Sequence, residues 1–195
     1  MISLNIFTKC PNTGNPKKRM SMLLDKNGRS SLSQEMLLCI LSEIKDMNAS
    51  IKKCLWVYPD YNDPWIESLS KEYKLILNKQ IGETLSSRII QCLFMESKYS
   101  EKTILIGSDI PSLTKETIMK SITLLDNNDV VLGPSYDGGF YLIGIKDNRL
   151  CKHLLNLNRL KSFLDLKDYF ESIEKKVGLL DKHKDIDNPK DLLLI

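Results

Sequence analysis

The chain has 195 residues, 42% of them hydrophobic, with 28 basic and 25 acidic side chains and a formal net charge of +3. That length suits a single domain over residues 1–195 that buries a full core without staples. A charge so balanced gives no field for nucleic acid or a membrane surface. No apolar run reaches membrane-spanning length, and Met1-Ile2-Ser3-Leu4-Asn5-Ile6-Phe7 lacks the basic region of a signal peptide. The five cysteines form no C-x-x-C pair, and most lie in apolar runs. Buried free thiols in a cytoplasmic protein are therefore expected, not a disulfide framework.

Strand-like and helix-like segments alternate. Ile2 to Thr8 reads as a strand that runs into a loop rich in Pro, Gly and Asn. Met36, Leu37, Ile40, Leu41, Ile44 and Met47 follow a helical period over 33–47, with Ser33 as its cap. Residues 53–58 read as a strand closed by Pro59, followed by a helix over 64–73 and a short strand over 74–78. A helix over 84–97, a strand over 103–106 and a helix over 114–125 come next. Strands over 129–132 and 140–145 flank an Asp-Gly-Gly turn. Phe163, Leu166, Phe170, Ile173 and Val177 predict a long amphipathic helix, then a strand near 177–180 and a small helix from Asn188. Such alternation predicts an α/β fold with a mainly parallel sheet covered on both faces. Ligands of such sheets sit beyond the carboxyl ends of the strands, so residues just after strands are the candidates.

Four segments stand there, and a fifth opens a helix. Lys9, Gly14, Lys17, Lys18 and Arg19 follow the first strand. Flexible backbone with lysine and arginine suits phosphate, although no P-loop spacing is present and a solvated basic loop is the commoner case. Ser108 and Asp109 follow the strand over 103–106. A carboxylate there can hold Mg²⁺ or Mn²⁺, or serve as a turn residue. Asp137, Gly138 and Gly139 form either a hairpin or a ligand-facing turn. Asp185-Ile186-Asp187-Asn188-Pro189 brings carboxylates to a helix start. Arg88, in the helix over 84–97, either faces a ligand or lies on the surface. The two histidines, His153 and His183, read as surface residues, and Trp56 as core.

Taken in order, these segments resemble the bacterial glycosyltransferase-like family associated with arsenosugar biosynthesis, related to 2-phospholactate guanylyltransferase and the molybdenum-cofactor nucleotidyltransferases. The matching motifs are Phe7-Thr8-Lys9-Cys10-Pro11 with Gly14 and Lys17-Lys18-Arg19, Gly107-Ser108-Asp109-Ile110-Pro111, Leu132-Gly133-Pro134 with Asp137-Gly138-Gly139-Phe140-Tyr141, and Asp185-Ile186-Asp187-Asn188-Pro189-Lys190-Asp191-Leu192. The resemblance implies a glycosyltransferase A-type fold: a Rossmann-like, mainly parallel mixed sheet flanked by helices on both faces. It implies phosphate contacts from Lys9, Lys17 and Arg19, with Gly14, Arg88 and Ser108 on the nucleotide side. Asp109 would hold the metal, Asp187 would sit near the metal or cap the last helix, and Asp137, Gly138 and Gly139 would line the sugar or acceptor side. This chain departs from the family at Lys18, where a threonine is usual, and at Thr84-Leu85-Ser86-Ser87, where two acidic residues and a glycine are lost. The family's W-S-T segment is not evident over 156–162.

Three functions follow. The first is metal-dependent glycosyl transfer from a nucleoside-diphosphate sugar to a small-molecule acceptor, with Asp109 on the cation and Asp137 as base for the acceptor hydroxyl. The second is nucleotidyl transfer to a phosphorylated small molecule with release of pyrophosphate, which the extra Lys18 favours. The third, motivated by the lost positions, is nucleotide binding without catalysis. A homodimer is left open.

Overall fold

A computed structural model of the chain describes residues 1–155, 157, 160 and 162–194. One seven-stranded sheet runs in the order β3-β2-β1-β4-β6-β5-β7. Its strands are β1 (Ile2–Lys9), β2 (Ile51–Tyr58), β3 (Ile76–Lys79), β4 (Lys102–Gly107), β5 (Val130–Pro134), β6 (Phe140–Ile145) and β7 (Val177–Leu179). β1 pairs parallel with β2 and β4, β2 with β3, and β5 with β7, while β6 runs antiparallel between β4 and β5. The expected mainly parallel mixed sheet is present.

Period-two alternation sends successive strand residues to opposite faces. Leu4, Ile6, Leu55, Val57, Ile104 and Ile106 pack on one face against α1 (Lys26–Ile44), α2 (Pro64–Glu72) and α4 (Lys115–Leu124). Phe7, Cys54, Trp56 and Leu105 pack on the other against α3 (Leu85–Glu96), α5 (Asn148–Leu155) and α6 (Phe163–Ser172). Cys10, Cys54, Cys92 and Cys151 are buried and Cys39 is exposed, all as free thiols. Among the described residues no helix is long and apolar enough to cross a membrane.

Side-chain caps set several boundaries. Thr84, Thr114 and Ser162 accept from the third backbone N–H of α3, α4 and α6, satisfying amides that the first helical turn cannot. α1 begins seven residues before the expected start at 33, because the Asp25 carboxylate accepts from the Gly28 N–H at 2.7 Å. Ser33 is thus a buried helix-interior residue and not the cap. The expected long helix ending near Val177 stops at Ser172, where Ile173 caps it and Glu174 turns left-handed at φ 58°. α5 carries no counterpart among the expected elements. The chain closes with a 3-10 helix over Pro189–Leu194, whose start is tied by Asp191 accepting from the Asp187 and Asn188 N–H groups at 3.0 and 2.7 Å.

The order in which strands are laid down places the site. From β1 the chain moves outward through β2 to β3, then crosses back to β4 on the other side of β1. The carboxyl ends of β1 and β4 therefore diverge into loops on opposite sides, which opens a crevice between them.

Candidate nucleotide site

A cavity of about 550 Å³ lies over that crevice, a size suited to a nucleotide. Its floor is stitched by the Ser108 N–H, which donates to Phe7 O at 3.1 Å, and the Ser108 hydroxyl, which donates to Thr8 Oγ1 at 3.2 Å. Lys9, Lys17, Arg19, Arg88, Ser108, Asp109, Asp137, Gly139 and Asp187, all singled out from sequence, line it.

The basic loop is rigidly placed. Cys10 N–H donates to Tyr58 O at 2.7 Å and Gly14 N–H donates to Cys10 O at 2.7 Å, folding the loop onto the end of β2. A Cβ at Gly14 would stand 2.6 Å from Cys10 O and 2.9 Å from Tyr58 O, so only glycine fits. Gly14 does not line the cavity; it shapes the loop that does. Arg29 holds the next stretch by donating to Asn15 Oδ1 at 2.9 Å and Pro16 O at 3.3 Å. Asn15 and Lys17 both adopt left-handed backbone, at φ 46° and 50°. Strain of this sort in non-glycine residues persists where surrounding contacts over-determine it.

Those contacts converge on the Lys17 side chain. Its ammonium is 3% exposed and donates to Ile186 O at 2.6 Å, while pairing with Asp109 Oδ1 at 2.8 Å and Asp187 Oδ1 at 3.2 Å. Arg19 pairs with the other oxygen of Asp187 at 3.3 Å. Ile186 fixes the carboxylate beside it: its side chain is buried with Met20 and Met36, and its N–H donates to Asp109 O at 3.0 Å. Asp109 and Asp187, 78 residues apart in sequence, thus share one cation point. Their side chains are 50% and 34% exposed, so both keep oxygens open to the cavity. Asp187 faces Lys17 and Arg19; the cap at the closing 3-10 helix falls to Asp191 instead.

The Asp-Gly-Gly turn forms the opposite wall. Asp137 Oδ1 accepts from the Ser135 hydroxyl and from the Gly139 N–H at 2.8 Å. Gly138 has φ 90°, a conformation the turn needs from glycine, and it lies outside the cavity lining. Ser135 is itself joined to His183 by a parallel bridge. His183 is half-buried, packed edge-on against Tyr141 with centroids 4.9 Å apart, and not the surface residue expected. Desolvation holds its pKa below the usual histidine value.

Lys18, read from sequence as part of the basic loop, lines the cavity as well, as do Asp185, Gln80 and Ser86, to which no role was assigned from sequence. Asp185 stands two residues before Asp187, a D-x-D spacing that carried the signal. Burial, then the charges of Asp137, Asp187 and Asp191, push its carboxyl above the usual aspartate range. Gln80 carried no signal, since a glutamine after a strand reads as a surface residue. The segment 156–162, where the family's W-S-T pattern is not evident, falls partly outside the described residues.

Two carboxylates converging on one cation point fit a divalent ion that also takes phosphate oxygens. Among the described residues no group of three or more His, Cys, Asp or Glu side chains is arranged to hold a metal alone.

A mainly parallel sheet with this crossover and a nucleotide-sized crevice at its carboxyl edge defines the nucleotide-diphospho-sugar transferase fold. A protein from Desulfovibrio desulfuricans assigned to those transferases superposes with a TM-score of 0.84 at 21% identity, over 98% of this chain and 84% of that one. The 4-diphosphocytidyl-2C-methyl-D-erythritol synthase of Anaerococcus prevotii does so at 0.67 and 17% identity, over 100% and 93%. The chain belongs to the bacterial family described as "uncharacterized protein conserved in bacteria (DUF2064)", whose model matches residues 45–160. It is also 30% identical over 187 residues to the 2-phospho-L-lactate guanylyltransferase of Archaeoglobus profundus, covering 92% of this chain and 77% of the relative. That match is long enough to take in parts of the chain outside 45–160, where the basic loop and the D-x-D segment lie.

Proposed function

We propose that this protein is a nucleotidyltransferase that joins a nucleoside triphosphate to a phosphorylated small molecule and releases pyrophosphate. The observation that carries the reading is the wall formed by Lys9, Lys17, Lys18 and Arg19 beside the Asp109–Asp187 pair. Four cations on one wall match the charge of a triphosphate better than that of a diphosphate sugar. The guanylyltransferase relative supports the same chemistry, because its name states transfer of a nucleotidyl group to a phosphorylated acid.

The basic wall and the guanylyltransferase relative favour this over glycosyl transfer, the reading the sequence put first. Glycosyl transfer to a hydroxyl calls for a base, and Asp137 was the candidate. Its Oδ1 accepts from the Ser135 hydroxyl and the Gly139 N–H, which orients the carboxylate, so the base role is decided by the Asp137→Asn variant and not by the geometry. A phosphate acceptor is already an anion and needs no base. Its oxygen attacks the α-phosphorus, a new P–O bond forms, and the bond to the bridging oxygen breaks with its electron pair leaving on pyrophosphate. Lys17 and Arg19 are placed to stabilise the charge that gathers on the leaving group. Asp109 and Asp187 would hold Mg²⁺ or Mn²⁺, which supplies charge neutralisation at the phosphates when bound. Lys17 then exchanges its carboxylate partners for phosphate oxygens.

The test is a thermal-shift panel of nucleoside triphosphates, diphosphates and nucleotide sugars, each with Mg²⁺, Mn²⁺ or chelator. A ligand at a hundredfold excess over its Kd stabilises the fold by about 2.7 kcal/mol. The expected result is a metal-dependent shift with a triphosphate. A shift confined to nucleotide sugars would restore glycosyl transfer, and binding without turnover on any acceptor would favour a binder.

A further inference from the structure

The cavity is not charged throughout. Phe7 and Gly107 are register partners on β1 and β4, and Leu105 faces the same side of the sheet as Gly107. A Cβ at Gly107 would meet no atom within 4 Å among the described residues, so the space above it is open. Phe7, Leu105 and Ile89 belong to one apolar cluster with Phe140 packed against it, and all four line the cavity. Leu85 stands one turn before Ile89 on the same face of α3 and lines the cavity while 57% exposed. A lone exposed leucine is ordinary. One that continues an apolar floor around an open space is surface kept for a ligand.

The hydroxyls beside Leu85 are tied back. Thr84 Oγ1 accepts from the Ser87 N–H at 3.1 Å, Ser87 Oγ donates to Thr84 O at 2.8 Å, and Ser86 Oγ donates to Leu160 O at 3.3 Å. This is the stretch in which the chain departs from its family, with two acidic residues and a glycine lost. The departure puts a leucine at the mouth of the cavity and no free carboxylate with it.

Position gives this lobe to the acceptor. Gln80 donates to Thr8 O at 3.0 Å and to Trp56 O at 2.9 Å, which closes β1 against β2, and Arg88 lies over the Tyr58 ring at 3.9 Å from its centroid. α3 therefore turns Arg88 toward β2 and Ile89 toward Phe7 and Leu105. The lobe reaches Phe140, which directly follows the Asp137–Gly139 turn on the wall opposite the lysines. Asp137 and Asp185 line the cavity on that wall, and an acceptor with a carboxylate of its own would meet like charge there.

We infer that the acceptor is a phosphate monoester with an apolar body and no carboxylate, its hydrocarbon lying over Gly107 against Leu85, Ile89 and Phe140. The inference rests on the nucleotidyltransferase reading and adds the chemical class of the acceptor. It separates this chain from the relative whose name specifies phospholactate, a phosphorylated acid.

The test measures pyrophosphate release by the whole chain with nucleoside triphosphates and Mg²⁺ across propyl, butyl, pentyl and hexyl phosphate, glycerol phosphate and 2-phospholactate. Each added methylene is expected to raise kcat/KM by up to about fourfold, with hexyl phosphate well ahead of the two polar acceptors. Leu85→Asn should raise KM for hexyl phosphate about tenfold while tripolyphosphate affinity holds. Leu85 is exposed, so the variant is expected to fold. Isothermal titration of the alkyl phosphates, with Mg²⁺ and tripolyphosphate filling the lysine wall, reads the lobe without turnover and should show the same dependence on chain length. Pyrophosphate release with no dependence on chain length, or with phospholactate preferred, would overturn the apolar acceptor and leave nucleotidyl transfer standing. Loss of tripolyphosphate affinity in Leu85→Asn would give the lobe to the nucleotide and overturn it as well. Chain-length-dependent binding with no pyrophosphate from any acceptor would remove nucleotidyl transfer and keep the apolar lobe.

Discussion

The sheet carries a lysine–carboxylate cluster at each end of its central strands, and the two are built differently. At the amino ends, Glu96 is buried and fully used: it accepts from the Ser3 hydroxyl at 2.7 Å and from Lys52 at 2.8 Å, with Cys54 at 3.9 Å. Burial, followed by the Glu96 carboxylate, pushes the Cys54 thiol up to about 12, so it stays protonated and inert. At the carboxyl ends, Lys17 meets Asp109 and Asp187 over an open cavity, with oxygens to spare. The same residue types close a core in one place and leave a site in the other. What separates them is surplus valence facing a crevice, which the sheet's crossover creates at one edge only.

Each cluster can be broken separately. Asp109→Ala should lower kcat/KM for nucleotidyl transfer by about a thousandfold, the scale of losing a preorganised electrostatic group, and abolish metal-dependent nucleotide binding. Its melting temperature should barely move, because the lost carboxylate is half-exposed. Steady-state kinetics with circular-dichroism melts checks both. Glu96→Ala should do the reverse, costing about 2–4 kcal/mol in urea unfolding by stranding Lys52 and the Ser3 hydroxyl, with kcat unchanged for the folded fraction.

Asp137→Asn should change kcat less than about tenfold, since an amide oxygen can still accept from Gly139 N–H and no base is required. A thousandfold fall would bring back the base, and glycosyl transfer with it.

The smallest effect is at Asp185. Its carboxyl titrates above the usual aspartate value through burial and the neighbouring Asp137. Between its unfolded and folded pKa values the native state binds more protons, so stability falls as pH rises through that window. Asp185→Asn should therefore raise the melting temperature slightly at pH 7, and the gain should vanish as pH falls below the ordinary aspartate value of 3.8. A gain that persists unchanged at acid pH would mean the effect is packing and not charge.

Much of this was legible in the chain. Thr84 and Thr114 stand where caps are needed, and the helices after them begin as expected. Lys17, Asp109 and Asp187 were visible because each follows a strand or opens a turn. What escaped did so for physical reasons. Lys26-Asn27-Gly28 lacks apolar periodicity and helix propensity, so only the Asp25 cap and the packing of the later turns make it helical. Val177 fits the period of α6, but Glu174 reverses the chain first. Arg88 was equally consistent with a surface position until Tyr58 was placed beneath it, and Gln80 acquires meaning only when the carbonyls of Thr8 and Trp56 arrive from two strands.

The most direct test of the central claim is pyrophosphate release. The protein is incubated with GTP and Mg²⁺ against a panel of phosphorylated small molecules, with Asp109→Ala alongside. The account predicts release that depends on one class of phosphorylated acceptor, is stoichiometric with a new diphosphate-linked product, and is lost in the variant. Transfer of a sugar from a nucleoside-diphosphate donor by the same preparation, with no pyrophosphate from any triphosphate, would contradict it.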